Sequence, residues 1–135
     1  MTRIRLAAKQ ENLEKFLKFI SVLAEQNDLS PDTAMKIRLS IEEALVNILN
    51  YAYPGCNGDV EIRFRKENDT KLVLEIFDNG IPFDPLSLPK PDLTANISDR
   101  KVGGLGVFFM REMAEDVHYR REGDSNILTM IFCRH

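Results

Sequence analysis

Two cysteines and two histidines are all that a chain of 135 residues offers to thiol or imidazole chemistry. Cys56 and Cys133 are too few for a disulfide framework and lack the paired spacing of a metal knuckle, so they read as ordinary thiols of a reducing compartment. His118 and His135 have no ligand-type neighbours at metal-site spacing, which argues against a bound transition metal. No apolar run approaches the ~20 residues that a membrane-spanning helix needs, and no apolar stretch follows Met1 to Arg5 as a secretory leader would require. Neither sign of charge dominates: 18 Lys and Arg against 21 Asp and Glu give a net charge of -3. That balance supplies no general attraction to nucleic acid or to an anionic membrane. Repeats, low-complexity tracts and the G-x-S-x-G elbow are also missing. What is left is 44% hydrophobic and 29% charged. That usage predicts one soluble, cytoplasmic, globular domain spanning 1–135 and large enough to bury a core without staples.

Periodicity sketches the order of elements. Ile4 and Leu6 alternate with Arg3 and Arg5, a short first strand. Leu13, Phe16, Leu17, Ile20, Leu23 and Ala24 recur at helical spacing, with Lys15, Lys18 and Glu25 off the stripe. Ser30-Pro31-Asp32 starts a second helix: serine caps free amides, proline suits the first turn and aspartate favours the positive dipole end. Pro54-Gly55 ends it after about Tyr51. Period-two patterns then predict two hairpins, Val60–Phe64 with Leu72–Ile76 around Asn68-Asp69, and Val117–Arg121 with Ile127–Phe132 around Gly123-Asp124. Between the hairpins, residues 79–102 hold four of the six prolines and little periodicity, the mark of a lid or binding loop. Val107 to Met113 reads as a short third helix. The resulting β-α-α-β-β-loop-α-β-β order predicts an α+β two-layer sandwich, a mostly antiparallel sheet covered on one face by helices.

Three places could carry chemistry. On the second helix, Lys36, Ser40, Glu43, Asn47 and Asn50 fall within a sector ~80° wide. Leu39 and Val46 flank that stripe. It is either a solvated face or a surface aimed at a ligand, with Glu43 able to accept a proton and Asn47 able to offer Mg²⁺ a neutral, hard oxygen. At a strand end, Asp78-Asn79-Gly80-Ile81-Pro82-Phe83-Asp84 is either a tight turn or a carboxylate placed to accept a hydrogen bond from an exocyclic amine, with Gly80 letting a flat ring approach. Gly103-Gly104-Leu105-Gly106 opens the third helix, and free N–H groups at a helix start can hold phosphate. It is no P-loop, since no Gly-Lys-Ser/Thr follows, and no dinucleotide fingerprint, since Phe109 stands where a third glycine would fall. Arg100 and Lys101 just before it are either phosphate contacts or solvated charges.

Taken jointly and in order, these places resemble the N, G1 and G2 boxes of the GHKL ATPase superfamily. The likeness covers about Pro31 to Phe132. Within the superfamily the chain is most similar to the compact anti-sigma factor serine-protein kinases of the RsbW and SpoIIAB type, the stretch Asn50-Tyr51-Ala52-Tyr53-Pro54-Gly55 included. The resemblance implies a Bergerat ATP-binding fold with Mg-ATP between the helical layer and a lid over about 79–102. It implies Asn47 as the Mg²⁺ ligand, Glu43 as catalytic base and Asp78 with Gly80 at the adenine. Gly104, Leu105 and Gly106, with Arg100 beside them, are implied at the phosphates. It further implies phosphorylation of a serine on a STAS-type anti-anti-sigma partner, sequestration of a sigma factor and a homodimer. Two other readings stay open: an ATP-dependent binding switch with little turnover, and a detached histidine-kinase-type ATPase domain, which would need an upstream phospho-accepting helix.

Overall fold

The computed structural model describes residues 2–87 and 110–134. Strand β1 (Thr2–Ala7) leads through a short 3₁₀ turn into α1 (Leu13–Gln26) and α2 (Pro31–Tyr51). Strands β2 (Asp59–Lys66) and β3 (Lys71–Asp78) follow, then a 3₁₀ turn at Pro85–Ser87. Residues 110–113 are helical, and β4 (Asp116–Glu122) and β5 (Ser125–Cys133) complete the fold. The described elements follow the expected order, and of the expected third helix residues 110–113 are described. No helix among the described residues is long and apolar enough to cross a membrane.

Local chemistry explains the boundaries. Ser30 has extended backbone and its Oγ accepts from the Thr33 N–H at 3.2 Å, with Pro31 at the first helical position, so α2 begins where its capping residues stand. In the β2–β3 turn, Asn68 Oδ1 accepts from the Thr70 and Lys71 amides at 2.8 and 3.1 Å, closing the hairpin with a side chain. The β4–β5 turn puts Gly123 at φ +56°, a conformation that only glycine takes without cost.

The five strands form one sheet in the order β1-β2-β3-β5-β4, and each described pairing is antiparallel. Strand β5 therefore returns between β3 and the edge strand β4. Register sorts the faces. Ile62, Leu74, Ile76, Met130 and Phe132 point at the helices and are almost wholly buried against Phe16, Ile20, Ile37, Ile41 and Leu45. On the other face, charges pair at the surface: Arg5 with Asp59 at 3.2 Å, Arg120 with Glu75 at 3.2 Å, and Arg63 with Glu61.

The polar stripe of α2 departs from a solvated face. Ser40 and Asn47 are buried, whereas Leu39 and Met35 on the same helix are exposed. Helix α2 thus turns part of its polar side inward, at the end of the sheet where β3 and β5 carry Asp78 and Asn126 as directly paired residues.

Candidate nucleotide site

A cavity with an empty volume of about 380 Å³, its open mouth included, lies between the C-terminal half of α2 and the ends of β3 and β5. Ile48, Ile76, Leu128 and Phe83 make its walls apolar, and Asn47, Asp78, Tyr119 and Asn126 bring polar atoms to it. Apolar walls with a few convergent polar groups suit a small organic ligand such as a heterocycle.

Asn47 and Asn126 are both buried, 2% and 4% exposed, yet their hydrogen bonding is opposite. The Asn126 side chain makes five hydrogen bonds, to Asp78, Ile81, Phe83, Tyr119 and Arg121. Asn47 makes none among the described residues: both its Oδ1 and its Nδ2 are buried without a partner. An orphaned buried polar atom costs about 1–3 kcal/mol, so a side chain carrying two is an expense that core packing does not repay. One turn earlier, Glu43 has a buried Oε1 that is also unpartnered. Burial, and to a lesser extent the neighbouring Glu42 charge, push the Glu43 carboxyl above its ordinary pKa. Glu43 does not line the cavity itself.

Asp78 is 6% exposed at the end of β3. Its Oδ1 accepts from the Gly80 N–H at 2.9 Å and from Asn126 Nδ2 at 2.8 Å. Burial raises its pKa, against the Asn126 and Gly80 hydrogen bonds and the Arg121 charge, which pull it down. The turn that follows is tied to the end of α2. The Ile81 N–H donates to Ala52 O at 2.9 Å, and the Asn79 N–H donates to Tyr53 Oη at 2.8 Å. A Cβ on Gly80 would lie 2.2 Å from Ala52 O, so the absence of a side chain at 80 is what lets α2 and the turn meet. Tyr51 stacks on Phe83 with ring centroids 5.0 Å apart, joining the same two segments again.

The structure therefore brings Asn47 and Asp78 to one cavity, with Glu43 and Gly80 beside it. Arg100, Gly104, Leu105 and Gly106 lie outside the described residues, as does the part of the expected lid from 88 to 102. Sequence reasoning missed Asn126, Tyr119 and Arg121. No motif marks them; the alternation of β4 and β5 puts Tyr119 and Asn126 on the helix side, and only the pairing of β5 with β3 shows that Asn126 meets Asp78.

The architecture is that of a histidine-kinase-type ATPase domain. The histidine kinase domain of the blue-light-activated histidine kinase from Erythrobacter litoralis EL346 superposes with a TM-score of 0.56 at 18% identity, over 90% of this chain and 61% of that one. The catalytic domain of histidine kinase ThkA superposes with a TM-score of 0.50 at 17% identity, over 99% and 97%. In sequence, residues 6–132 match the family model described as histidine kinase-like ATPase domain, and the chain belongs to that family. Curated relatives include the serine-protein kinases RsbW of Bacillus cereus and of Bacillus thuringiensis subsp. konkukian. Each is 22% identical over 129 residues, which is 93% of this chain and 80% of the relative.

Proposed function

We propose that this chain is an ATP-dependent protein serine kinase of the anti-sigma factor type. It binds Mg-ATP in the cavity at the end of α2 and transfers the terminal phosphoryl group to a serine of a STAS-type anti-anti-sigma partner, and so governs the release of a sigma factor. The observation that carries the reading is the unpartnered, buried amide of Asn47 on the cavity that Asp78 also lines. Asn47 offers the neutral oxygen that suits a hard cation keeping most of its waters, so the residues present fit Mg²⁺. The metal ion supplies charge neutralisation at the phosphates. Asp78, as an acceptor, would read the exocyclic amine of adenine, and Ile48, Ile76 and Leu128 line the same cavity with apolar surface against which the ring would pack. Gly104, Leu105, Gly106 and Arg100 are assigned to the phosphates on the motif alone.

Glu43 takes the proton of the acceptor hydroxyl. A bond forms from serine oxygen to phosphorus, the bond from phosphorus to the ADP oxygen breaks, and the hydroxyl proton goes to the carboxylate. A pKa raised by burial strengthens Glu43 as a base while it remains ionised. Curated relatives named as serine-protein kinases support this assignment over a histidine acceptor. That Glu43 stands outside the cavity lining favours a second reading, an ATP-dependent binding switch with little turnover. Incubation with γ-labelled ATP and a STAS-domain acceptor separates the two. The kinase reading expects label on an acceptor serine, and its loss in Glu43→Gln with ATP affinity kept. Tight ATP binding without transfer to any serine would leave the switch.

A further inference from the structure

The sheet has two edges, β1 and β4. An edge strand turns a row of N–H and C=O groups away from its neighbour, open to pairing with another chain. On β4 the charged side chains of the outer face, the one away from the helices, are paired within the fold: Arg120 lies against Glu75 and Glu122, and His118 beside Asp116. Strand β1 differs. Arg3 stands directly opposite Arg63 of β2, and like charges so placed repel. Arg63 is already held by Glu61 and stacks on Phe77, 4.0 Å from the ring centroid. Arg5 is held by Asp59 at 3.2 Å. Arg3 and Arg65 are exposed and have no carboxylate partner among the described residues. Four arginines of β1 and β2 thus share this face with two carboxylates, in a chain of net charge -3. The opposite face of β1 is apolar and unfinished: Ile4 and Leu6 pack against the core yet are only half-buried. None of these residues lines the nucleotide cavity.

We infer that the free edge of β1 is a docking site for an extended segment of another protein, one that alternates acidic with apolar residues. Added as a sixth strand, such a segment pairs its backbone with β1. Its side chains opposite Arg3 and Arg5 fall on the outer face, where carboxylates meet the surplus positive charge. The alternate ones fall beside Ile4 and Leu6 and complete their burial. The two-residue period makes the pattern strict, because a shift by one position would set acids against Ile4 and Leu6. A second copy of this chain does not suit the edge: β1 laid antiparallel on another β1 sets Arg3 against Arg5 on the same face. A polyanion suits it no better, since Asp59 and Glu61 interrupt the arginines.

The test measures, by fluorescence anisotropy, a labelled peptide of six residues, the length of β1, that alternates glutamate with valine, and its counterpart that alternates lysine with valine. The glutamate peptide is expected to bind about tenfold more tightly or better, and the preference should shrink in ~1 M salt, where charges are screened beyond about 3 Å. Arg3→Glu should weaken the glutamate peptide about tenfold and strengthen the lysine peptide. Arg3 is exposed, so the variant keeps the fold; Arg65→Glu, on the neighbouring strand, is a second variant with a smaller loss expected. Bound peptide should also slow hydrogen exchange at the β1 amides, which side-chain attraction alone would not do. Equal affinity for the two peptides, wild-type affinity in Arg3→Glu, or unchanged exchange in β1 overturns the inference. So does tighter binding to phosphatidylglycerol vesicles than to the glutamate peptide, and so does a dimer in which β1 is protected before any peptide is added.

Discussion

Replacing Asn47 by leucine should make the protein more stable and unable to bind Mg-ATP. Most substitutions in a packed interior destabilise, by about 1 kcal/mol on average. Here the sign reverses because of what the side chain lacks. Asn47 is 2% exposed and neither polar atom has a partner among the described residues, while Ile48, Ile76 and Leu128 supply apolar surface on the same cavity. Leucine has nearly the same shape, removes the orphaned donor and acceptor, and adds hydrocarbon to a cavity that Ile48, Ile76 and Leu128 already line. Relief of one to two unsatisfied groups is worth about 1–3 kcal/mol. For a domain of this size that raises the melting temperature by about 3–10 °C. Urea denaturation of the nucleotide-free protein measures the first quantity, and calorimetry with ATP and Mg²⁺ measures the second, expected to weaken at least tenfold. A variant that is less stable by about 1 kcal/mol or more would show that Asn47 is a structural polar group after all. Unchanged nucleotide affinity would remove it from the metal role.

Three further outcomes are expected. Gly80→Ala should destabilise by about 1–3 kcal/mol and loosen nucleotide binding, because the added Cβ meets backbone at 2.2 Å and either α2 or the turn after β3 must shift; a neutral effect in thermal melts would contradict that packing. Asp78 has a folded-state pKa raised above its ordinary 3.8 by burial, so the folded state holds the proton more tightly than the unfolded chain. Its contribution is therefore most favourable below about pH 3.8 and is lost as pH rises through the folded-state pKa. Asp78→Asn should gain stability over wild type progressively across that window, and a stability difference independent of pH would refute the assignment. Tyr53→Phe removes the acceptor of the Asn79 N–H and the donor to Asp59 O at 2.6 Å. It should cost about 1–2 kcal/mol by denaturation and raise hydrogen exchange at Asn79; protection unchanged there would show that the phenol does not pin the turn.

Much of the architecture was legible along the chain because its signals are local. The Ser30-Pro31-Asp32 start, the alternation of Val60 to Phe64 and the turn residues Asn68 and Gly123 each act within a few positions, and each appears where expected. The three motifs are likewise short local runs, and of these the structure describes the α2 stripe with Asn47 and the strand end at Asp78. Their meeting was not legible along the chain. Asp78 and Asn126 stand 48 positions apart and touch only because β5 pairs with β3 instead of extending the edge beyond β4. Whether the polar stripe of α2 faced water or a cavity was equally beyond reach, since periodicity defines a face and not what covers it. Packing of α2 against the sheet end buried Asn47 and left Leu39 in solvent. The amino-acid sequence by itself thus determined the elements, their order and the polar residue types available to the candidate site. The tertiary structure decided which of those residues share a cavity, and which polar groups there are left without a partner, because both depend on contacts between segments that no local pattern encodes.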